Sequence, residues 1–346
     1  MLLLDQFAPR IPLTFNPEGH FRILLLSDAH LRPGDDRRTP DAVEKLLAYT
    51  HPDLVMLLGD QEGGCEHEDH LRSVITRLVT PMEERNIPWA HVFGNHDETP
   101  VLSKAWQETL YESFPHCLSR PGPEDIPGVG NYFLPIRDAR GRTVFGIWAL
   151  DSHQDLRHPS CPLAQPGELI KDLLLPDPPW GKSDDEFICF QQVQWYFQTS
   201  LTLEKENGGR IPSLMCFHIP LPEFHALIRN PRETGMRGEN RERICCSTVN
   251  SGLFAAVLQR GDVRAIFTGH DHNNTFDGLY CGIRLGYDGS IGYQAYGLSG
   301  EERDSLRGGR IVDLDLTCPE SIRTEMVLVR DVETHWRPSP DGDRIS

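Results

Sequence analysis

Short apolar runs that end in polar residues recur along the 346-residue chain. Runs of this length, bounded by turn-forming residues, are typical of buried strands in layered proteins. We therefore predict strands at Phe21–Leu26, Leu54–Leu58, Trp89–Phe93, Val144–Leu150, Ser213–Phe217 and Val263–Phe267.

Apolar residues at helical spacing separate several of these strands. Over residues 68–86 they recur every three or four positions and would share one face of a helix. Thr39 predicts a helix N-cap, with Pro40 at the first helical position. Two further helices are predicted at 191–203 and 251–259. The alternation of strands with helices indicates α/β layers rather than an all-β barrel.

We predict one domain over residues 1–336 and a polar tail over residues 337–346. Residues 158–186 are rich in Pro and Asp, and residues 230–243 are charged and contain Gly. Both are predicted to be surface loops that shape the mouth of a pocket. Because strand and helix patterns resume directly after each loop, we do not interpret either as a linker between domains.

The composition is that of a globular protein, with 38% hydrophobic and 25% charged residues. The longest apolar runs are far too short to cross a bilayer, and the first residues lack the basic leader and cleavage site of a secretory signal. The nine cysteines include no CxxC pair, which argues against a zinc ribbon or a thioredoxin-like redox site. These features predict a cytoplasmic protein without a membrane partner.

The formal net charge of −17 bears on the class of partner. It disfavours extended nucleic acid, because phosphate backbones are bound by clustered Lys and Arg. A small anionic substrate stays compatible with the charge, since a bound metal cation can dominate the local field of a site.

Ligand-type side chains follow one predicted strand after another: Asp28, His30, Asp60, Asn95, His96, Asp97, His218, His270 and His272. In α/β sheets, ligand sites lie outside the carboxyl ends of the strands, so these groups are expected to meet in one crevice. Oxygen donors mixed with imidazoles suit Mn, Fe or Zn, and the groups outnumber the ligands of one tetrahedral zinc ion. We therefore predict two metal ions that share a carboxylate.

Each of these signals also has a simpler interpretation when it is taken alone. Residues 92–98, VFGNHDE, are compatible with a polar loop, and Gly59 with Asp60 is compatible with a simple turn. His218 is compatible with a hydrogen-bonded core histidine. The recurrence at successive strand ends favours the metal site, because independent coincidences at every strand end are improbable.

In order and spacing, these residues resemble the signature of the calcineurin-like metallophosphoesterase superfamily: Asp28-x-His30, Gly59-Asp60, Gly94-Asn95-His96-Asp97, His218 and Gly269-His270-x-His272. The segments FHIPLPEF, NSGLFAAVLQRGDVRAIFTGHDHNN and GYQAYG look most like its plant and fungal branch, which is called purple-acid-phosphatase-like. The resemblance implies an α/β fold, a layered β-sandwich flanked by helices, with a dinuclear metal site at the carboxyl ends of the strands.

The resemblance also implies a ligand set for each metal ion. The ligands of one ion would be Asp28, His30, Asp60 and His272. Those of the other would be Asp60, Asn95, His218 and His270, so that Asp60 bridges the two ions. The ions themselves are expected to be divalent or trivalent Mn, Fe or Zn.

Three neighbouring positions have further implied roles. His96 would face the substrate as general acid or as a positive partner for transition-state charge, and Asp97 would orient its ring. Purple acid phosphatases carry a metal-binding Tyr three residues after the bridging Asp, where this chain has Gly63. We therefore expect no purple charge-transfer band.

The implied function is hydrolysis of a small phosphomonoester by a metal-bound hydroxide. A phosphodiesterase acting on a small or cyclic nucleotide-type diester is the alternative within the superfamily. A catalytically inactive binding module with the same fold is the alternative of another class. Such a module is expected to have lost metal ligands, and none is missing from this sequence. Candidate substrate contacts, which lie near strand ends or in Gly-rich turns, are Asp151, His153, Tyr293 and Tyr296.

Overall fold

Two β-sheets form the centre of the computed structural model, which describes residues 2–99, 101–154 and 187–335. In the first half of the chain the strands are β1 (Leu13–Thr14), β2 (His20–Leu26), β3 (Leu54–Leu57), β4 (Trp89–His91), β5 (Tyr132–Arg137) and β6 (Thr143–Ala149). In the second half they are β7 (Ser213–Cys216), β8 (Val263–Thr268), β9 (Asp277–Tyr280), β10 (Ile283–Tyr287), β11 (Gly308–Asp315) and β12 (Arg323–Leu328).

Helices within the described ranges connect and cover these strands. The α-helices are α1 (Leu3–Gln6), α2 (Arg38–Thr50), α3 (Glu68–Glu83), α4 (Lys104–Glu112), α5 (Phe190–Asn207), α6 (His225–Arg229), α7 (Leu253–Arg260) and α8 (Val329–His335). Short 3-10 helices occur at Pro222–Phe224 and Gly300–Glu302. None of the helices in these ranges combines the length and the apolar character needed to span a membrane.

The strand order brings the predicted site loops to one edge. The seven-stranded sheet runs β1-β5-β6-β7-β8-β10-β9, and the five-stranded sheet runs β12-β11-β2-β3-β4. β2, β3 and β4 are parallel neighbours, and so are β7 and β8 in the other sheet. The carboxyl ends of parallel neighbours lie at the same edge, so the loops that follow these strands are adjacent.

The side chains of β2 alternate between two cores. Ile23 and Leu25 point into the apolar layer between the sheets, together with Ile147 of β6. Leu24 and Leu26 point the other way, into the core that α2 and α3 form on the outer face of the five-stranded sheet. Because both faces are covered, β2 is a continuous apolar run instead of an alternating one.

The outer face of the seven-stranded sheet is covered in the same manner by α5 and α7. Tyr196 of α5 and Val257 of α7 belong to the core that includes Trp148 and Ile266 of the sheet. The order of layers is therefore helix, sheet, sheet, helix. This confirms the predicted layered β-sandwich flanked by helices.

The predicted strands and helices are present, with ends that differ by a few residues. The start of α2 is a correction, since the helix begins at Arg38 and Thr39 lies inside its first turn. The Thr39 hydroxyl does not cap the helix and instead accepts a hydrogen bond from the Tyr293 N–H at 3.0 Å.

The two predicted surface loops differ in how far the structure describes them. Residues 230–243 lack regular strands and helices, and single bridges tie Arg237 to Asp277 and Asn240 to Asn274. The predicted loop at 158–186 and the predicted tail at 337–346 lie outside the described residues.

Candidate metal centre

The loops after β2, β3 and β8 hold ligand candidates on unusual backbone. Asp28, His30, Asp60 and His270 have φ angles between 43° and 76°. Residues other than Gly seldom adopt this left-handed region, which costs on the order of 1–3 kcal/mol for each residue. Strain concentrated at ligand candidates indicates that the surrounding packing holds these side chains in place for a function.

Glycines at the same strand ends leave room for the ligands. A Cβ on Gly94 would lie 2.1 Å from Asp60 Oδ1. A Cβ on Gly59, whose φ is 100°, would lie 2.5 Å from Nδ1 of His218. Both distances are far below van der Waals contact, so the two positions require glycine for the close approach of these ligands.

Each of the two buried carboxylates has one oxygen fixed by neighbouring donors. Asp28 Oδ2 accepts hydrogen bonds from Ser27 Oγ at 2.6 Å and from the His270 N–H at 3.0 Å. Asp60 Oδ1 accepts one from the His96 N–H at 2.9 Å. The other oxygens, Asp28 Oδ1 and Asp60 Oδ2, face the imidazoles.

Backbone carbonyls set the orientation of two of these imidazoles. His218 Nδ1 donates to the Leu58 carbonyl at 2.7 Å, and His272 Nδ1 donates to the Tyr296 carbonyl at 3.1 Å. A carbonyl only accepts, so Nδ1 carries a proton in both rings, and in the neutral ring Nε2 presents a lone pair. This is how metal-ligating histidines are commonly held in proteins.

The facing atoms converge in two overlapping groups. Asp28 Oδ1 lies 3.2 Å from His272 Nε2 and 3.7 Å from His30 Nε2. Asp60 Oδ2 lies 3.3 Å from His30 Nε2 and 3.2 Å from His218 Nε2. Within Asp28-His30-His272, and again within Asp28-Asp60-His218, the donor atoms all lie within 4.8 Å of one another.

Asn95 and His270 lie beside the second group. The Asn95 amide oxygen is 2.9 Å from His270 Nδ1, and the His270 ring stands edge-on to the His218 ring with centroids 5.2 Å apart. The structure thus brings all seven predicted ligands together, from loops of both sheets. Asp28 is common to both groups, and Asp60 Oδ2 lies between His30 Nε2 of the first group and His218 Nε2 of the second, 3.3 Å and 3.2 Å away.

Two atoms at this centre are buried without a hydrogen-bond partner among the described residues. They are Asp28 Oδ1 and His218 Nε2. A buried polar atom left unpaired costs free energy, and a metal ion is a partner for both lone pairs. The surrounding carboxylate, imidazole and amide donors are a set that Mn, Fe and Zn accept. The residues therefore fit a pair of such ions.

The carboxylates and imidazoles shift one another's pKa. Burial lowers the pKa of His30, but the charges of Asp60 and Asp28 outweigh burial and raise that pKa to about 10. Burial raises the pKa of Asp28, but the imidazoles of His218 and His272 outweigh it and hold that pKa below its ordinary value. At neutral pH, metal binding must therefore displace a proton from His30, so it weakens as the pH falls.

The centre opens into a cleft of about 480 Å³. His30, Asp60, His270 and His272 line it, and so does the exposed His96. The His96 ring lies edge-on to the His30 ring, with centroids 5.3 Å apart. An accessible imidazole thus stands beside the ligand groups, as a general acid would have to.

Comparison with known proteins agrees with this geometry. Residues 21–274 match the family described as calcineurin-like phosphoesterase, and this span contains every predicted ligand. The chain belongs to the calcineurin-like phosphoesterase family. The match confirms the predicted superfamily, whose members are metallophosphoesterases.

Individual relatives place this calcineurin-like phosphoesterase in a branch. It is 30% identical to an Arabidopsis thaliana protein named probable inactive purple acid phosphatase 29, over 89% of this chain and 80% of that one. It is 29% identical to phosphatase DCR2 of Saccharomyces cerevisiae, over 79% of this chain but only 47% of the yeast protein. These relatives confirm the predicted purple-acid-phosphatase-like branch.

A solved structure supports the fold. A dimetal phosphatase from Danio rerio superposes on this phosphoesterase with a TM-score of 0.55, covering 88% of this chain and 98% of that one. The two sequences are only 14% identical, so the likeness concerns the fold.

The structure places the Asp97 carboxylate against backbone groups and not against the His96 ring that it was predicted to orient. Its buried carboxylate accepts hydrogen bonds of 2.7–3.3 Å from four backbone N–H groups, those of Asp60, Gln61, Glu62 and Gly94. Among the described residues its hydrogen bonds go to these groups and not to the His96 ring. Asp97 therefore ties the loop after β3 to the loop after β4.

Three of the predicted substrate contacts do not line the cleft, which corrects that prediction. Asp151 accepts a hydrogen bond from Lys104 Nζ at 2.8 Å, and His153 Nε2 lies 2.9 Å from Gln192 Oε1. All four of these side chains are buried. The Tyr293 ring instead packs beneath the Arg38 guanidinium, whose Cζ lies 5.3 Å from the ring centroid. The polar groups of Asp151 and His153 therefore bond within the fold.

Tyr296 does line the cleft, where it supports a ligand. Its ring stacks on the His272 ring, with centroids 3.8 Å apart and planes at 13°. Its hydroxyl accepts from the His272 N–H at 3.3 Å and donates to Glu242 Oε1 at 3.2 Å. Tyr296 is therefore a positioning residue for His272.

Replacing Tyr296 by Ala is expected to weaken metal binding by about tenfold, because partners that orient a metal-ligating His commonly contribute that much. Tyr296→Phe keeps the ring on His272 and should retain most of the affinity. Competition with a fluorescent chelator measures both metal dissociation constants. An unchanged Kd in Tyr296→Ala would contradict the positioning role.

The sequence pattern does not point to two residues that the structure places around the ligands. Ser27 fixes Asp28, and its position directly before a ligand is the signal that could have identified it. Glu242 accepts from the Asn273 N–H at 2.6 Å as well as from Tyr296. No local signal marks Glu242, because its contacts join segments distant in the sequence.

Proposed function

We propose that this chain is an active enzyme that hydrolyses a phosphomonoester at a pair of metal ions. The observation that carries the proposal is the convergence of buried carboxylates and imidazoles at an open cleft, beside the exposed His96. When bound, such ions supply Lewis-acid charge and lower the pKa of a water molecule in the site.

The side chains of this chain would divide the remaining work. Asp28, Asp60 and the four ligand histidines hold the ions. Asn95 contributes a neutral oxygen, which limits negative charge where an anionic phosphate must bind. A ring N–H of His96 donates to a phosphoryl oxygen or transfers its proton to the leaving oxygen.

Relatives favour a monoester over a diester as substrate. Both the Arabidopsis thaliana and the Saccharomyces cerevisiae relatives carry the word phosphatase in their names. Hydrolysis of a small or cyclic nucleotide-type diester is the alternative at the same site. Comparing the rates of hydrolysis of p-nitrophenyl phosphate and its bis ester distinguishes the monoesterase from the diesterase.

A binding module without catalysis is the second candidate, and the word inactive in the name of the Arabidopsis thaliana relative favours it. The donors themselves speak for an active site. The seven ligand-type side chains are all present and adjacent, and Asp28 Oδ1 and His218 Nε2 await a partner. These atoms support metal binding, and the position of the exposed His96 beside them favours catalysis over binding alone.

Gly63 bears on which metals are bound. A Cβ at this position would lie 2.8 Å from the His30 carbonyl oxygen and 2.9 Å from Arg32 Cγ. A tyrosine here would require the loop to move, so a tyrosinate bound to iron does not fit this arrangement. We propose Mn, Zn or ferrous Fe, and no purple absorption band.

Metal analysis of protein purified without chelator tests the proposal. We expect about two ions per chain after reconstitution with Mn, Zn or Fe. We also expect hydrolysis of p-nitrophenyl phosphate to exceed that of the bis ester. If the protein holds fewer than one ion per chain and added Mn does not restore binding, the proposal that it is an enzyme is rejected. Two ions without hydrolysis of either ester would favour the inactive binding module.

A further inference from the structure

The cleft is larger than the reacting phosphate needs. Its volume of about 480 Å³ lies in the range of pockets that enclose a whole small molecule. The metal ligands occupy one part of its lining, and Arg32 lies in another part, exposed at the surface. The leaving group of the substrate is therefore expected to meet Arg32.

The Arg32 side chain is seated against the loop after β3. Leu31 pairs with Glu62 in a short parallel bridge, and the Gly63 N–H donates to the Leu31 carbonyl at 2.9 Å. A Cβ on Gly63 would lie 2.9 Å from Arg32 Nε. The absence of a side chain at Gly63 thus gives Arg32 its place beside the cleft.

The Arg32 guanidinium is unpaired within the described part of the chain. Its backbone N–H donates to Asp35 Oδ2 at 2.7 Å, but the guanidinium itself forms no ion pair or hydrogen bond there. Arg22, by contrast, pairs with Asp313 at 2.7 Å. Arg32 is also the only Lys or Arg among the described residues that line the cleft.

A free guanidinium beside a cleft is suited to one kind of ligand group. Its planar set of donors matches a carboxylate or a phosphate in a two-point contact. The net charge is −17, and an arginine without a carboxylate partner among the described residues leaves its charge available to a ligand.

We propose that Arg32 binds a second anionic group, a carboxylate or a further phosphate, on the leaving group of the phosphomonoester. This inference rests on the proposed function, since it assigns the substrate class of the same site. Arg32 is then a specificity residue, and the reacting phosphate is bound by the metal centre and His96.

Matched aryl phosphates test the proposal on the metal-reconstituted full chain. The probes are para-carboxyphenyl phosphate, its uncharged carboxamide and hydroquinone bisphosphate. For wild type we expect a lower Kd and a higher kcat/KM for the two probes with a second anion. In Arg32→Gln, this preference over the carboxamide should fall by about tenfold, as for the loss of one charge-assisted contact.

Two further variants sharpen the comparison. Arg32→Lys keeps the charge without the planar donor set and should restore part of the preference. Arg37→Gln removes an exposed arginine that does not line the cleft, and it should keep the wild-type preference. A preference for only one of the two anions identifies that anion as the ligand of Arg32.

The outcomes separate this inference from the proposed function. Equal kcat/KM for all probes in the wild type overturns the role of Arg32 and leaves the phosphatase intact. A uniform loss for all three probes in Arg32→Gln also overturns it, because Arg32 would then contact the reacting phosphate. If wild type binds the probes without hydrolysis, the proposed function fails and the Kd differences still decide the role of Arg32. If it does not bind them, both fail.

Discussion

Replacing His96 by Ala is expected to lower kcat by about 10²–10⁴-fold while the metal content stays at the wild-type level. The His96 ring faces the cleft and is exposed, whereas its backbone N–H holds Asp60 Oδ1 at 2.9 Å. The substitution removes the ring and keeps the N–H. Chemistry and metal binding should therefore separate at this residue.

His70→Ala is the matched control, since His70 is an exposed histidine on α3 that does not line the cleft. It should leave kcat and metal content unchanged. The measurements are kcat with p-nitrophenyl phosphate and ions per chain by elemental analysis. Loss of metal from His96→Ala in step with activity would show that the ring is a ligand, against the role given to it.

The layers of the fold could be predicted because they rest on local patterns. β2 is a continuous apolar run since both its faces are covered, and α3 places its apolar residues on one face. Periodicity of this kind is imposed by burial within a single element. It therefore appears in the sequence wherever an element packs against a core.

β11 shows why other elements were not predicted. It begins with Gly308 and Gly309, which disfavour a strand, and with Arg310, a charged residue that interrupts an apolar pattern. A Cβ on Gly309 would lie 2.6 Å from Leu26 Cδ2, so glycine allows close packing on β2. Arg310 is fully buried and pairs with Asp277 at 3.1 Å. The partners that explain these residues, Leu26 and Asp277, are distant from β11 in the sequence.

The same division applies to the candidate site. The ligand candidates could be found because the carboxyl ends of parallel strands lie at one edge, whatever the details of their loops. The role of Asp97 depends on which way a side chain turns within its loop. The substrate contacts depend on the path of whole loops. Residue type and spacing predict neither the direction of a side chain within its loop nor the path of the loop.

Replacing Asp97 by Asn is expected to destabilise the protein by about 2–4 kcal/mol and to weaken metal binding. One oxygen of Asp97 accepts from the N–H groups of Asp60 and Gly94, and the other accepts from those of Gln61 and Glu62. An amide group replaces one oxygen by a donor, so two buried N–H groups lose their partner. Since Asp60 lies on the released loop, its position beside His30 and His218 should loosen.

Urea unfolding of chelator-treated protein measures the free energy of unfolding, and chelator competition measures the metal Kd. Asp69→Asn removes an exposed carboxylate in the first turn of α3 and should change the free energy of unfolding by no more than about 1 kcal/mol. The two possible roles of Asp97 predict different results. A carboxylate that only oriented the His96 ring would lower kcat in Asp97→Asn with stability and metal affinity unchanged. A carboxylate that holds the two loops together must lower stability in the metal-free protein as well, because its four partners are backbone groups and not the ring.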